Sequence, residues 1–222
     1  MLNQQVLQAL VIGLPPFLLA VTVHEVAHGY IAKTKGDYTA QMLGRITLNP
    51  LRHIDPVGTV LFPLLLALSG IGIIFGWAKP VPVNSRNFRN PRKDMVYVSL
   101  AGPASNLFLA LAFAFIFKIM LWFPGAAVIW GSPILKPLAS MIVIGIKISI
   151  YLGVFNLLPI HPLDGSHILE GLLPPDMALS YSRLAPYGWI ILVGLLMTGL
   201  LGRIIGPLYA MIYIAIRTIF AF

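Results

Sequence analysis

Six apolar runs, each close to the length that crosses a lipid bilayer, fill most of this chain: about 6–32, 57–76, 95–121, 134–158, 184–201 and 204–222. A helix needs roughly 20 apolar residues to span the hydrocarbon core. Lipid offers the backbone no hydrogen-bonding water, so a long spanning run must be helical unless it closes a barrel. Composition agrees. Charged residues are 10% of the chain, against about 25% in soluble domains, too few to cover a water-facing surface of this size. The expected fold is an all-α polytopic membrane protein with about five to six transmembrane helices. A single membrane-embedded unit over 1–222 is expected, with a core at about 6–172 and a C-terminal helical hairpin at about 184–222, turning near Gly202-Arg203. The first run lacks a basic leader region and a small-x-small cleavage site, so it reads as a retained membrane segment.

The net charge of +8 sits largely between the runs. Segment 33–56 carries Lys33, Lys35, Arg45 and Arg52, and segment 77–94 carries Lys79, Arg86, Arg89, Arg92 and Lys93. Segment 122–133 has no charge. Basic loops face the cytoplasm and its anionic lipid, and no nucleic-acid-binding signature accompanies them. This predicts a multi-pass protein of the cell (plasma) membrane. If 57–76 crossed fully, the two basic segments would lie on opposite sides. Pro63, Gly70, Gly72 and Gly76 interrupt that run, which suits a re-entrant hairpin that dips in and returns. A plain spanning helix is the other reading. Residues 45–48 alternate and are bounded by Gly44 and Asn49-Pro50, which predicts a short β-strand.

The chain has no cysteine, so a metal ion would have to be held by His, Asp or Glu. The first run ends in His24-Glu25-Val26-Ala27-His28. On a helix, residues four apart share a face, so both imidazoles can reach one ion. Glu25 between them is placed to take a proton from water, whose pKa zinc lowers toward about 7. Ionisable groups in a membrane helix are costly and mark function. Catalytic zinc usually has three protein ligands. His53 is one candidate for the third. Asp164 is the stronger, because it follows an apolar run in the Pro/Gly-rich break 156–165. In the re-entrant topology Asp164 returns to the same membrane side as His24 and His28. In the fully crossing topology it does not.

Together, the HEVAHGY segment, Ala101-Gly102-Pro103 with Asn106, and Asn156 with Leu163-Asp164-Gly165 resemble the site-2 protease family of intramembrane metalloproteases. The stretches Gly44 to Pro50 and Gly76 to Asn84 resemble its compact bacterial and archaeal subgroup. The resemblance implies one zinc ion on His24, His28 and Asp164, with Glu25 activating water. It implies a substrate-holding or oxyanion role for Asn156, a helix-terminus cap being the other reading. The expected activity is hydrolysis of peptide bonds in or near transmembrane segments of a protein or peptide substrate, at a site facing the cytoplasm. A non-proteolytic membrane metal-binding protein or transporter is the alternative. The family often has other residues at His161 and His167, so either is an extra ligand, a proton shuttle or a polar loop residue.

Overall fold

The computed structural model describes residues 4–61, 65 and 77–222. The described chain is helical. Its elements are α1 (Gln4–Thr34), a short α2 (Thr39–Met42), α3 (Pro91–Trp122), α4 (Ala126–Gly131), α5 (Leu135–Asn156), α6 (Asp164–Leu172), α7 (Pro175–Ser182), α8 (Gly188–Met197) and α9 (Leu200–Phe220). Among the described residues, five stretches are long and apolar enough to span: Gln8–Thr34, Pro91–Trp122, Leu135–Asn156, Pro175–Met197 and Leu200–Phe220. The protein is therefore a multi-pass membrane protein.

Three helices, α1, α3 and α5, pack against one another and form the centre. Small residues bring α3 and α5 close, as they do between membrane helices that gain nothing from hydrophobic expulsion. Ala110 and Ala114 on α3 are fully buried against Ile146, Ile150 and Val154 of α5. Leu201, Ile205 and Ile216 of α9 close this cluster from outside. Pro91 starts α3 at a position where its missing N–H costs nothing. Asp94 in the first turn accepts the N–H of Asn90 at 3.0 Å, and Lys35 beyond the end of α1 pairs with it at 3.3 Å. The exit of α1 is thereby tied to the start of α3.

Buried Asp37 ties together the two basic segments. It accepts from the backbone N–H and hydroxyl of Thr39, from Asn84 N at 2.7 Å and from Asn87 Nδ2 at 2.8 Å.

Two expectations are corrected. Among the described residues there is no strand, and 45–48 is irregular. A strand needs a ladder partner, whereas this segment is pinned by side chains: Arg45 Nη2 donates to Lys79 O at 2.8 Å, and His53 Nε2 donates to Thr47 O at 3.0 Å. The C-terminal turn falls at Gly199, not at Gly202-Arg203. Gly199 takes φ +72°, the left-handed conformation that ends helices and favours glycine. Gly202 and Arg203 lie inside α9.

Most of the 57–76 run, including Pro63, Gly70, Gly72 and Gly76, lies outside the described residues. Its two ends do not. Pro56–Leu61 forms a π-helical turn. Trp77 N donates to Gly58 O at 3.0 Å, and Thr59 Oγ1 donates to Trp77 O at 2.8 Å.

Candidate metal centre

The helical spacing of four sets His24 and His28 on one face of α1, with their Nε2 atoms 3.0 Å apart. Asp164, the first residue of α6, faces both. Its Oδ2 lies 3.1 Å from His24 Nε2 and its Oδ1 3.3 Å from His28 Nε2. One candidate ligand atom from each of the three residues lies within 4.8 Å of the others, the one such His/Asp/Glu group among the described residues. His24 is buried, at 7% exposure.

Local backbone brings Asp164 there. After α5 ends at Asn156, the chain turns through 157–163 and starts α6 directly over the end of α5. At Gly165 a Cβ would lie 2.3 Å from Leu157 O, so the close approach requires glycine. Ser166 Oγ donates to Leu163 O at 2.7 Å and closes the turn.

The third wall is α3. Val98, Gly102 and Asn106 are spaced four apart and share one buried face. His28 Nδ1 donates to Val98 O at 2.7 Å. Its Nε2 therefore carries the lone pair and points it at the carboxylate. Asn106 Nδ2 lies 3.1 Å from His24 Nδ1. A Cβ on Gly102 would sit 2.4 Å from His28 Nε2 and 2.6 Å from His24 Nε2. Two imidazoles and a carboxylate thus converge around space that a single methyl group would fill. Buried Asp164 Oδ2 receives no hydrogen bond among the described residues. Electron-pair donors facing one another at this range repel unless a proton or a metal cation lies among them. Two nitrogens and a carboxylate oxygen are a donor set that suits zinc.

Glu25 faces elsewhere on the same helix turn. Its Oε2 accepts the N–H of Val81 at 2.7 Å. Val81 lies between two prolines, which have no N–H, and its buried side chain rests near Gly29 of α1. Asn156 ends α5, and its Nδ2 donates back to Leu152 O at 2.9 Å. His53 is buried and bonded to Thr47, outside the metal group. His161 and His167 also lie outside that group. His161 Nε2 and His167 Nδ1 each lie 3.9 Å from Glu170 Oε2. Burial and the neighbouring His167 hold the His161 imidazole below the usual histidine range, against the pull of Glu170.

Two contributors escape a reading of residue types. Val81 and Val98 act through backbone atoms, which no side-chain motif reports. Asn106 has a visible signal, its place in the Ala-Gly-Pro-x-x-Asn segment, but its partner is visible only once α1 and α3 are packed.

Fold and site together define a polytopic membrane protein in which an HExxH helix and a carboxylate at the start of a distant helix form a group that could hold a metal ion. The profile of peptidase family M50 matches residues 126–197. The chain is 40% identical over 191 residues to YwhC of Bacillus subtilis, named as a zinc metalloprotease, covering 86% of this chain and 82% of that one. It is 32% identical over 188 residues to Rip2 of Mycolicibacterium smegmatis, covering 84% and 67%, and 31% identical over 198 residues to Rip2 of Mycobacterium tuberculosis, covering 89% and 70%. Both carry the same kind of name. No solved structure matches the chain. The chain belongs to peptidase family M50, the site-2 protease family. It is an intramembrane zinc metalloprotease.

Proposed function

We propose that His24, His28 and Asp164 hold one zinc ion, that Glu25 is the general base, and that the enzyme cleaves transmembrane segments of membrane-protein substrates from the cytoplasmic side. The convergence of the three candidate ligands from α1 and α6 carries this reading. When bound, zinc supplies Lewis-acid chemistry, acidifying water and polarising a carbonyl. The rest falls to the chain. Glu25 takes the proton from attacking water and returns it to the leaving amine. The Val81 N–H holds that carboxylate in one orientation before reaction. Asn156 is positioned at the end of α5 to reach substrate once its amide leaves Leu152 O.

Depth supports a substrate within the membrane. His24 lies ten residues before Thr34, about 15 Å along the helix at 1.5 Å per residue. Sidedness rests on charge: nine of the fifteen Lys and Arg residues fall within 33–93, between the exit of α1 and the first turns of α3. With both basic segments cytoplasmic, 57–76 is re-entrant, and the contact of Trp77 with Gly58 and Thr59 supports that reading. The whole of 1–222 then acts as one unit.

Glu25→Gln tests the proposal. The variant is expected to keep its zinc and to lose cleavage of a transmembrane substrate by about 10²–10⁴-fold, the contribution of a general base. Asp164→Ala is expected to lose the zinc itself. Full cleavage by Glu25→Gln would sink the mechanism.

A further inference from the structure

Asn106 is fully buried at 0% exposure. Its amide faces His24 Nδ1 at 3.1 Å through Nδ2, while its Oδ1 is buried without a hydrogen-bond partner among the described residues. That arrangement leaves one acceptor unsatisfied and bars His24 from binding a metal through Nε2. A buried acceptor without a partner has lost its water and gained nothing in return. A donor aimed at Nδ1 would also force the His24 proton onto Nε2, the atom that faces Asp164 at 3.1 Å. The amide oxygen and nitrogen have nearly the same shape. Half a turn of the amide exchanges them. Oδ1 then accepts Nδ1–H of His24, the orphaned acceptor is satisfied, and Nε2 presents its lone pair to the centre.

We infer that Asn106 is a positioning residue: its Oδ1 accepts the Nδ1–H of His24 and holds that imidazole in the tautomer that binds zinc. It does for His24 what the Val98 carbonyl does for His28 at 2.7 Å. Both partners lie on the α3 face that Gly102 divides. The second hydrogen bond of a ligating histidine sets its tautomer, and losing it typically weakens metal binding about 10–100-fold. The inference rests on the assignment of His24 as a ligand.

The test measures zinc retention against a graded chelator in the purified full chain. Asn106→Leu keeps the volume and removes the acceptor, and is expected to weaken retention roughly 10–100-fold. Asn106→Asp has only acceptor oxygens and is expected to stay within about threefold of the parent. Equal losses in the Asp and Leu variants, or a Leu variant that binds like the parent, would overturn the role. His24→Ala separates the two levels: if it retains zinc, the ligand assignment fails; if it loses zinc while Asn106→Leu does not, only the Asn106 role fails. Should the Asn106 variants not fold, nitrogen-15 NMR of the zinc-stripped parent decides. A proton on His24 Nδ1 supports the inference, and a proton on Nε2 overturns it.

Discussion

Trp77 N donates to Gly58 O at 3.0 Å, so two residues nineteen apart, flanking an apolar run, lie side by side. A segment that crossed the membrane once would leave its ends on opposite faces, roughly 30 Å apart. Position 58 has no room for a side chain either, because a Cβ there would meet the Trp77 indole at 2.3 Å. The chain has no native cysteine, so single-cysteine labelling is clean. Val57→Cys and Lys79→Cys are expected to react with an impermeant maleimide from the same, cytoplasmic side. Val128→Cys in α4 is expected to react from the other. Labelling of positions 57 and 79 from opposite faces would remove the re-entrant topology and, with it, the charge argument for sidedness.

Gly102→Ala separates the site from the helix that carries it. Alanine favours an interior helix over glycine by about 1 kcal/mol, so α3 itself loses nothing. The added methyl group meets His28 Nε2 at 2.4 Å and His24 Nε2 at 2.6 Å. The variant is expected to keep the helical content and thermal midpoint of the parent while its zinc affinity falls at least about 10-fold, the scale seen when a ligand is pushed from its orientation. Metal content after gel filtration, read beside circular dichroism, checks both halves. Normal zinc binding would mean that the imidazoles open away from α3.

Asp37 makes the loop clamp sensitive to acid. Burial pushes its carboxyl upward, but hydrogen bonds from Thr39, Asn84 and Asn87 outweigh this and hold it below the ordinary value of 3.8. A folded-state pKa below the unfolded one stabilises the folded protein above the unfolded value, and that gain is lost as pH falls through the folded one. The parent should therefore keep the clamp at neutral pH and lose it only below about pH 4. Asp37→Asn should be less stable at pH 7 by about 1–3 kcal/mol, with the difference shrinking at low pH. Thermal midpoints of both proteins in detergent from pH 7 to pH 3 check this, and a constant gap would contradict it.

The helical spans and half of the candidate metal centre were legible in residue order. Long apolar runs can satisfy their backbone in lipid only as helices, and two histidines four apart on a helix share a face wherever that helix goes. Local pattern was less reliable where tertiary partners decide the outcome. The alternation at 45–48 read as a strand, yet among the described residues it has no ladder partner, and Arg45 and His53 hold that segment through side chains. Gly202-Arg203 read as a turn, yet the left-handed residue is Gly199. A glycine inside an apolar run breaks the helix only where its backbone leaves helical space.

Charge and spacing alone could nominate Asp164 over His53 as the third candidate ligand, since Asp164 follows an apolar run in a Pro/Gly-rich break whereas His53 lies in a loop. They could not bring it within 3.3 Å of both histidines. That distance depends on Gly165 letting α6 start against the Leu157 carbonyl, and on α3 pressing Val98 O, Gly102 and Asn106 against the imidazoles. The chemistry at HEVAH was therefore set by residue type and helical period, which are local. Its cavity and the approach of Asp164, the third candidate ligand, were set by packing between α1, α3 and α6. Hydrogen bonds and van der Waals contacts act over a few ångströms, between atoms that chain order leaves scores of residues apart.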